Sequence, residues 1–296
     1  MLDTNLAIRF FIDQRIINPE TIISFFPIVR DREDVAVYKC DTSEIIFLSR
    51  SDHIQLRDYT DKQDFEYWGG GSRDEALQRT YFNDQRMYEI VSPYIANKIW
   101  MDVGCGLGGV LEKGRGLAKH CLAVEPQYGA YKALCDSGLD AYQNIESVAD
   151  ESVDVITLFH VFEHLLDPAK MVQSLYSKLK PGGVVIIEVP HARDFLLSFL
   201  NVEEFKKFTL WSEHLILHTR ESLRAIFQFF GFNVLGVKGV QRYPLSNHLY
   251  WLKHGEPGGH EKWAVLNQKG LVDSYEEVLQ SLDKTDTIVL FAQKEG

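Results

Sequence analysis

The run Met101-Asp-Val-Gly-Cys-Gly-Leu-Gly-Gly109 follows the apolar pair Ile99-Trp100 and carries the strongest chemical signal in the chain. A strand running into such a turn brings bare backbone close to a ligand. Gly104, Gly106 and Gly108 can take positive φ and present no Cβ, and Cys105 sits among them. Two cofactor chemistries share this pattern. Gly104, Gly106 and Gly109 have the G-x-G-x-x-G spacing of a dinucleotide site, in which pyrophosphate rests on a helix N-terminus. Asp102, two residues before the first glycine, would repel pyrophosphate and suits a cation such as a sulfonium bearing a free amino group. S-adenosylmethionine (SAM) is therefore favoured over a nicotinamide cofactor, which stays as the alternative.

Further candidates lie at the ends of later apolar runs. Glu125, in Leu122-Ala-Val-Glu-Pro126, can accept hydrogen bonds from the 2′ and 3′ hydroxyls of a ribose. Pro126 and Gln127 follow at the edge of an adenosine pocket. Asn144 and Ile145, after Gln143, offer an amide and an apolar face to adenine. Phe159-His160 ends the fourth run of this kind, and open α/β sheets bind ligands beyond the carboxyl ends of their strands.

The elements that would position these residues alternate. Short apolar strands are expected at 99–103, 121–124, 141–143, 154–159 and 184–189, with helices at about 109–119, 128–137 and 168–180 between them. Asp167-Pro168 gives one helix an N-cap and a proline at its first position, and Pro181-Gly-Gly183 stops it. A helix over 221–230, a strand over 234–240, a helix near 272–283 and a final strand over 287–292 follow. Near-continuous apolar runs such as Val184-Val-Ile-Ile belong to strands buried on both faces. The expected fold is a doubly wound, Rossmann-like α/β sheet. It divides as an N-terminal appendage over 1–71, a cofactor-binding core over 72–240, a cap insertion over 241–284 and a last core strand over 285–296. The appendage contains a hairpin around Cys40-Asp-Thr-Ser43 and ends at the joint Gly69-Gly-Gly71. Ser72-Arg-Asp-Glu75 is a capping-box pattern that starts a helix bent near Pro93.

Bulk properties narrow the function. The chain has 296 residues, 45% hydrophobic, and a formal net charge of −11. No Lys/Arg cluster stands out, so nucleic acid is not the expected partner. The four cysteines show no C-x-x-C spacing, so no metal is expected and a reducing, cytoplasmic setting fits. Met1-Leu2-Asp3 lacks the basic start of a signal peptide. The apolar stretch from Leu6 to Val29 is too interrupted by charges and prolines to span a bilayer.

Taken together, Asp102-Val-Gly-Cys-Gly-Leu-Gly108, Glu125, Val153-Asp-Val-Ile, Glu163-His164-Leu-Leu-Asp-Pro168 and Leu179-Lys-Pro-Gly-Gly183 resemble a class I SAM-dependent methyltransferase. The resemblance runs over about residues 98–240 and the final strand. It implies a seven-stranded sheet whose last strand is antiparallel, with SAM as methyl donor and S-adenosylhomocysteine as product. Trp211-Ser-Glu-His-Leu is similar to a Tyr-x-Glu-His segment of sugar C-methyltransferases, with Trp211 in place of the tyrosine. Those enzymes also carry an N-terminal zinc module, whereas Cys40 is the only cysteine before the glycine turn. Both departures favour transfer to oxygen over carbon or nitrogen. The implied acceptor is a hydroxyl of a nucleotide sugar or surface glycan. His214 is the expected base, oriented by Glu213, with His160 as the alternative base and His164 capping a helix. Arg242, Tyr243, Asn247, His248 and Trp251 form the expected acceptor-binding set.

Overall fold

The computed structural model describes residues 5–296, the side chains of residues 58 and 66 excepted. Met1-Leu2-Asp3 lies outside the described residues. Among them no helix is long and apolar enough to cross a membrane. The strands are β1 (Ile22–Phe26), β2 (Val37–Cys40), β3 (Ile46–Leu48), β4 (Ile99–Val103), β5 (His120–Val124), β6 (Asp140–Tyr142), β7 (Val153–Phe159), β8 (Leu179–Pro190), β9 (Ile216–Leu217), β10 (Phe232–Val240) and β11 (Thr287–Lys294). The helices are α1 (Arg9–Asp13), α2 (Leu56–Thr60), α3 (Arg73–Ile95), α4 (Gly109–Gly114), α5 (Tyr128–Asp136), α6 (Pro168–Lys178), α7 (Glu203–Thr209), α8 (Arg220–Phe229), α9 (Leu245–His254), α10 (Gly259–Lys262) and α11 (Lys269–Ser281).

Seven strands form the central sheet in the order β6-β5-β4-β7-β8-β11-β10. Neighbours from β6 to β8 are parallel, and β11 runs antiparallel to both β8 and β10. This is the doubly wound α/β sheet, with its last strand reversed, that the apolar runs and the resemblance implied. Its buried strands explain those runs: β7 and β11 are almost wholly inaccessible. Chain order reverses at β4, flanked by β5 and β7, which opens a crevice above the carboxyl end of β4.

Two of the differences from the sequence expectation have a clear local reason. Helix α4 stops at Gly114, where a Cβ would lie 2.4 Å from the Trp100 ring, so the chain turns there over β4. Pro181-Gly-Gly183 stops no helix. It forms an irregularity inside the long strand β8, with Gly182 at φ 77° and the register jumping from Val153↔Leu179 to Val155↔Val184. Helix α3 starts as its capping pattern implied: Ser72 accepts from the Glu75 N–H, while the Glu75 carboxylate reaches back to the Gly71 N–H at 3.0 Å. Pro93 lies within it, and the Ser92 hydroxyl donates to the Glu89 carbonyl that proline leaves without a donor.

The N-terminal segment forms a second sheet, β1-β2-β3-β9. The expected hairpin is present, pairing Val37↔Leu48 and Lys39↔Ile46. The fourth strand comes from far along the chain, with Ile46↔Leu217 and Phe47↔Ile216. Ile8, Phe11, Ile17, Cys40, Ile45 and Phe47 share one apolar core with Val103, Ile156 and Leu158 of the large sheet. Arg193 ties the hairpin to the body, donating at 2.6 Å to Glu44 and at 2.6 Å to Asp283. Because the cores are continuous, Phe47→Ala should destabilise the protein by about 3–5 kcal/mol and shift one unfolding transition. Chemical denaturation followed by tryptophan fluorescence and far-UV circular dichroism checks this. Separate early melting of an N-terminal unit would contradict it.

Candidate functional site

A cavity of about 790 Å³ opens above the carboxyl ends of β4, β5, β7 and β8. Its floor and one end are Val103, Gly104, Gly106, Val124, Pro126, Gln143, Asn144, Ile145, Phe159, His160 and Pro190. Its other end is Arg32, His53, Ile54, Tyr67, His164, Trp211, Glu213, His214 and Arg242. The fold therefore brings the glycine turn, the adenosine-type residues and the Glu-His segment around one space.

The glycines of the turn are required by geometry. Gly104 has φ 69°, and a Cβ there would lie 2.4 Å from Val161 Cγ2. Gly106 has φ 54°, and a Cβ would lie 2.8 Å from Trp68 Nε1. Gly108, at φ 80°, backs onto Leu134 and Leu139 and is not part of the cavity wall. Cys105 also lies outside the wall, and burial pushes its thiol well up. Asp102 differs from the sequence expectation. It is only 3% exposed, absent from the wall, and accepts a 2.6 Å hydrogen bond from the Thr157 hydroxyl. Burial raises its carboxyl to about 7 in spite of Thr157. It anchors the turn to β7 and presents no fixed charge to the opening.

Glu125 is 1% exposed. One oxygen accepts from the Gly106 N–H at 2.9 Å; the other accepts from the Gln127 N–H at 2.9 Å and the Tyr59 hydroxyl at 3.0 Å. Burial outweighs these bonds and raises its carboxyl to about 7. Pro126 lines the cavity, whereas Gln127 is buried behind it with its side-chain amide unbonded. Asn144 accepts from the Ser147 N–H and hydroxyl and sits in the wall beside Ile145.

His160 ends β7 in a left-handed conformation, φ 55°. Its Nε2 lies 2.9 Å from Glu188 and its Nδ1 3.4 Å from Glu163, both carboxylates fully buried. Burial and the Arg242 guanidinium depress its pKa, but the two carboxylates outweigh them and raise it. With Glu188 against one ring nitrogen and Glu163 against the other, neither nitrogen is turned toward an acceptor. The geometry does not fit the alternative role of His160 as base.

His214 packs against His164 and Trp211, with ring centroids 5.0 and 5.2 Å away. Burial, then the neighbouring His164, hold its pKa well below the usual histidine value. Among the described contacts Glu213 makes no hydrogen bond or ion pair with it; the carboxylate beside His214 is Glu163. Glu163, His164 and His214 offer ligand atoms that all lie within 4.8 Å of one another, so these three could hold a metal ion, which the sequence had not suggested. Burial works against the Glu163 charge, but His160, with help from His164 and His214, brings its carboxyl down to about 2.

The loop that carries His214 is held from the N-terminal segment. Asp31 accepts from the Ser212 N–H at 2.9 Å and hydroxyl at 2.6 Å, and His53 Nε2 lies 2.8 Å from the Ser212 carbonyl. Arg30 stacks 4.7 Å over Trp211. Of the expected acceptor-binding set only Arg242 reaches the cavity. His248 is 3% exposed, stacked on Phe195 and bonded to the Tyr275 hydroxyl; Trp251 packs on Phe205 and Phe208; Asn247 is buried near His260. Tyr243 also lies outside the wall. Their aromatic and amide groups build a small core for α9–α11. Arg32, His53, Tyr59, Tyr67 and Trp68 were not anticipated as wall residues. The aromatic run before Gly69 was the one visible signal for the last three.

Comparison with known proteins agrees with this architecture. Residues 76–237, more than half of the chain, match the family described as "Methyltransferase domain". A ubiquinone biosynthesis O-methyltransferase of Pseudomonas entomophila (strain L48) is 29% identical over 178 residues, covering 52% of this chain and 72% of the relative. The enzyme of the same name from Pseudomonas putida (strain W619) gives the same identity and coverage. A SAM-dependent methyltransferase from Archaeoglobus fulgidus shares the fold with a TM-score of 0.50 at 20% identity, over 76% of this chain and 95% of that one. A chain from the complex of the Haloferax volcanii Trm112 methyltransferase activator with a methyltransferase superposes with a TM-score of 0.56 at 14% identity, over 79% and 99%. None of the relatives named here is described as acting on a sugar or glycan. The chain belongs to the methyltransferase-domain family and is a SAM-dependent methyltransferase.

Proposed function

We propose that this enzyme transfers the methyl group of SAM to a hydroxyl of a small, ring-bearing acceptor, with His214 as the base. The carrying observation is a neutral histidine in the cavity wall with a charged, fully buried carboxylate, Glu163, beside it. In this reading the turn at Gly104–Gly106 receives the methionine part of SAM and Glu125 takes the ribose. Pro126, Asn144 and Ile145 flank adenine, and Phe159-His160 face the sulfonium end. The acceptor oxygen attacks the methyl carbon in line as the carbon–sulfur bond breaks. The O–H proton passes to His214, and S-adenosylhomocysteine leaves as a neutral thioether. Glu163 then stabilises the imidazolium formed, the part the sequence had given to Glu213.

The far wall supports a ring-bearing acceptor of little charge. Tyr67, Trp211 and His164 offer flat faces. Of the arginines there, Arg32 is paired with Asp34 at 2.9 Å and Arg242 lies 3.6 Å from Asp286. A sugar diphosphate would want unpaired cations in these places, so a phenolic hydroxyl fits this wall better than the nucleotide sugar or glycan expected from the sequence. The relatives' printed activity, O-methylation in ubiquinone biosynthesis, agrees with oxygen as the acceptor atom.

Four outcomes test this reading. Labelled SAM incubated with a pool of phenols, catechols and nucleotide sugars should label the phenolic compounds; label in nucleotide sugars alone restores the sugar reading. On the acceptor so found, His214→Ala should lower kcat by about 10²–10⁴-fold with SAM affinity unchanged by calorimetry, and near-full turnover would remove His214 from the reaction. Because its pKa is depressed, the basic form of His214 persists below pH 6.5. The kcat profile should therefore stay level from pH 8 down through 6.5, whereas a fall at or above 6.5 points to another base. Finally, Gly104→Ala, forced into φ 69° against Val161, should weaken SAM binding by about tenfold or more, read by calorimetry beside a melt of the ligand-free variant.

A further inference from the structure

The acid that would take the ribose is closed off from the cavity by the protein's own side chain. Glu125 is 1% exposed and contributes nothing to the wall, whereas Tyr59, whose hydroxyl donates to it at 3.0 Å, does line the cavity. A carboxylate oxygen has two lone pairs. On Glu125 Oε1 both are taken, by the Gln127 N–H and the Tyr59 hydroxyl; on Oε2 one is taken, by the Gly106 N–H. A ribose diol placing one hydroxyl on each oxygen finds Oε2 open and Oε1 full. The backbone N–H of Gln127 is fixed by the chain after β5, so the removable donor is Tyr59.

Tyr59 belongs to α2, in a strap that crosses the cofactor end of the cavity. The Lys62 carbonyl accepts from the Gly129 N–H at 3.0 Å, and Trp68 lies against Gly106, where a Cβ would come within 2.8 Å of its Nε1. Tyr59 and Tyr67 meet edge to face at 5.8 Å, and Tyr67 meets Trp68 at 5.4 Å. The strap ends at Gly69, in a left-handed conformation at φ 75° that glycine adopts without strain.

Resting on the reading of Glu125 as the ribose acid, we propose that the Tyr59 hydroxyl holds the place of one ribose hydroxyl, and that SAM binds by displacing it from Glu125. Tyr59 is then a determinant of cofactor affinity that acts by competition. One ribose hydroxyl gains little in the native enzyme, because it replaces a hydrogen bond already made.

Calorimetry with S-adenosylhomocysteine and its 2′-deoxy and 3′-deoxy analogues tests this on the full chain. Tyr59→Phe should bind S-adenosylhomocysteine about three- to tenfold more tightly than the native protein. Losing the competing ribose hydroxyl should cost the native protein less than about twofold, and Tyr59→Phe about tenfold. Equal or weaker binding by Tyr59→Phe, or the same deoxy penalty in both proteins, overturns the proposal. Glu125→Gln separates the two layers. If it leaves affinity unchanged, the ribose reading itself fails and the proposal with it. If it lowers affinity while Tyr59→Phe has no effect, only the competition is wrong.

Discussion

A carboxylate with no exposure, Glu188 in β8, is the constraint on which the cavity floor depends. A buried charge is tolerated only when paired and hydrogen-bonded. Glu188 is met by a two-pronged contact from Arg86 of α3, at 2.7 and 2.6 Å, and by His160 at 2.9 Å. Burial opposes its ionisation, but His160 and Arg86 together keep its carboxyl far below the usual range. The arrangement spreads outward: Glu163 sits on the other ring nitrogen of His160, Arg242 lies 3.2 Å from the same ring, and Asp286 receives the Arg242 and Tyr243 backbone N–H groups. One charge thus joins α3, the end of β7, β8 and the start of the cap. It also holds His160 in a left-handed turn at the floor of the cavity.

The other half of the site depends on the N-terminal sheet. The loop 211–215 has no regular structure of its own and is fixed by what reaches it. Leu215 donates to the Glu163 carbonyl at 3.0 Å, and its own carbonyl accepts from Leu48 in β3 at 3.1 Å. Asp31, His53 and Arg30 hold Ser212 and Trp211. The residues before the large sheet are in this sense the scaffold of the acceptor wall. A small side-on sheet sharing a core with a larger one positions a loop more rigidly than a tether would.

What could be read from the chain follows from where the information is local. The buried parallel strands announce themselves as apolar runs, and the glycine turn by the absence of side chains, so fold and cofactor end were legible. Strand β9, with two residues, has no period to detect, and its partner is about 170 positions away. The contact between Asp31 and Ser212 is equally remote in sequence. Glu188 was visible in principle: a carboxylate inside Val184-Val-Ile-Ile-Glu-Val189 must find a cation, but the sequence does not say which. His248 and Trp251 show the converse error. Their types suit ligand binding, yet type gives no direction, and both point into the packing of the cap.

The glycine turn poses a subtler problem, because Asp102 points to the correct cofactor through a charge that the fold hides. Bonded to Thr157, buried behind the turn and with its carboxyl raised to about 7, Asp102 offers no open, full charge to a pyrophosphate. A second acid lies one layer away. Helix α4, whose N-terminus a dinucleotide would use, has only six residues and so little dipole to offer. Its first residue, Gly109, is covered by Asp84 of α3: a Cβ there would fall 2.0 Å from the Asp84 carboxylate, which the Thr80 hydroxyl holds in place at 2.6 Å. An acid therefore lies against the first residue of that helix. Glu112 adds a second carboxylate to the first turn of the same helix, paired with Arg73. The acid that bears on a pyrophosphate at this turn is therefore the one that α3 sets against Gly109, more than the one inside the glycine motif.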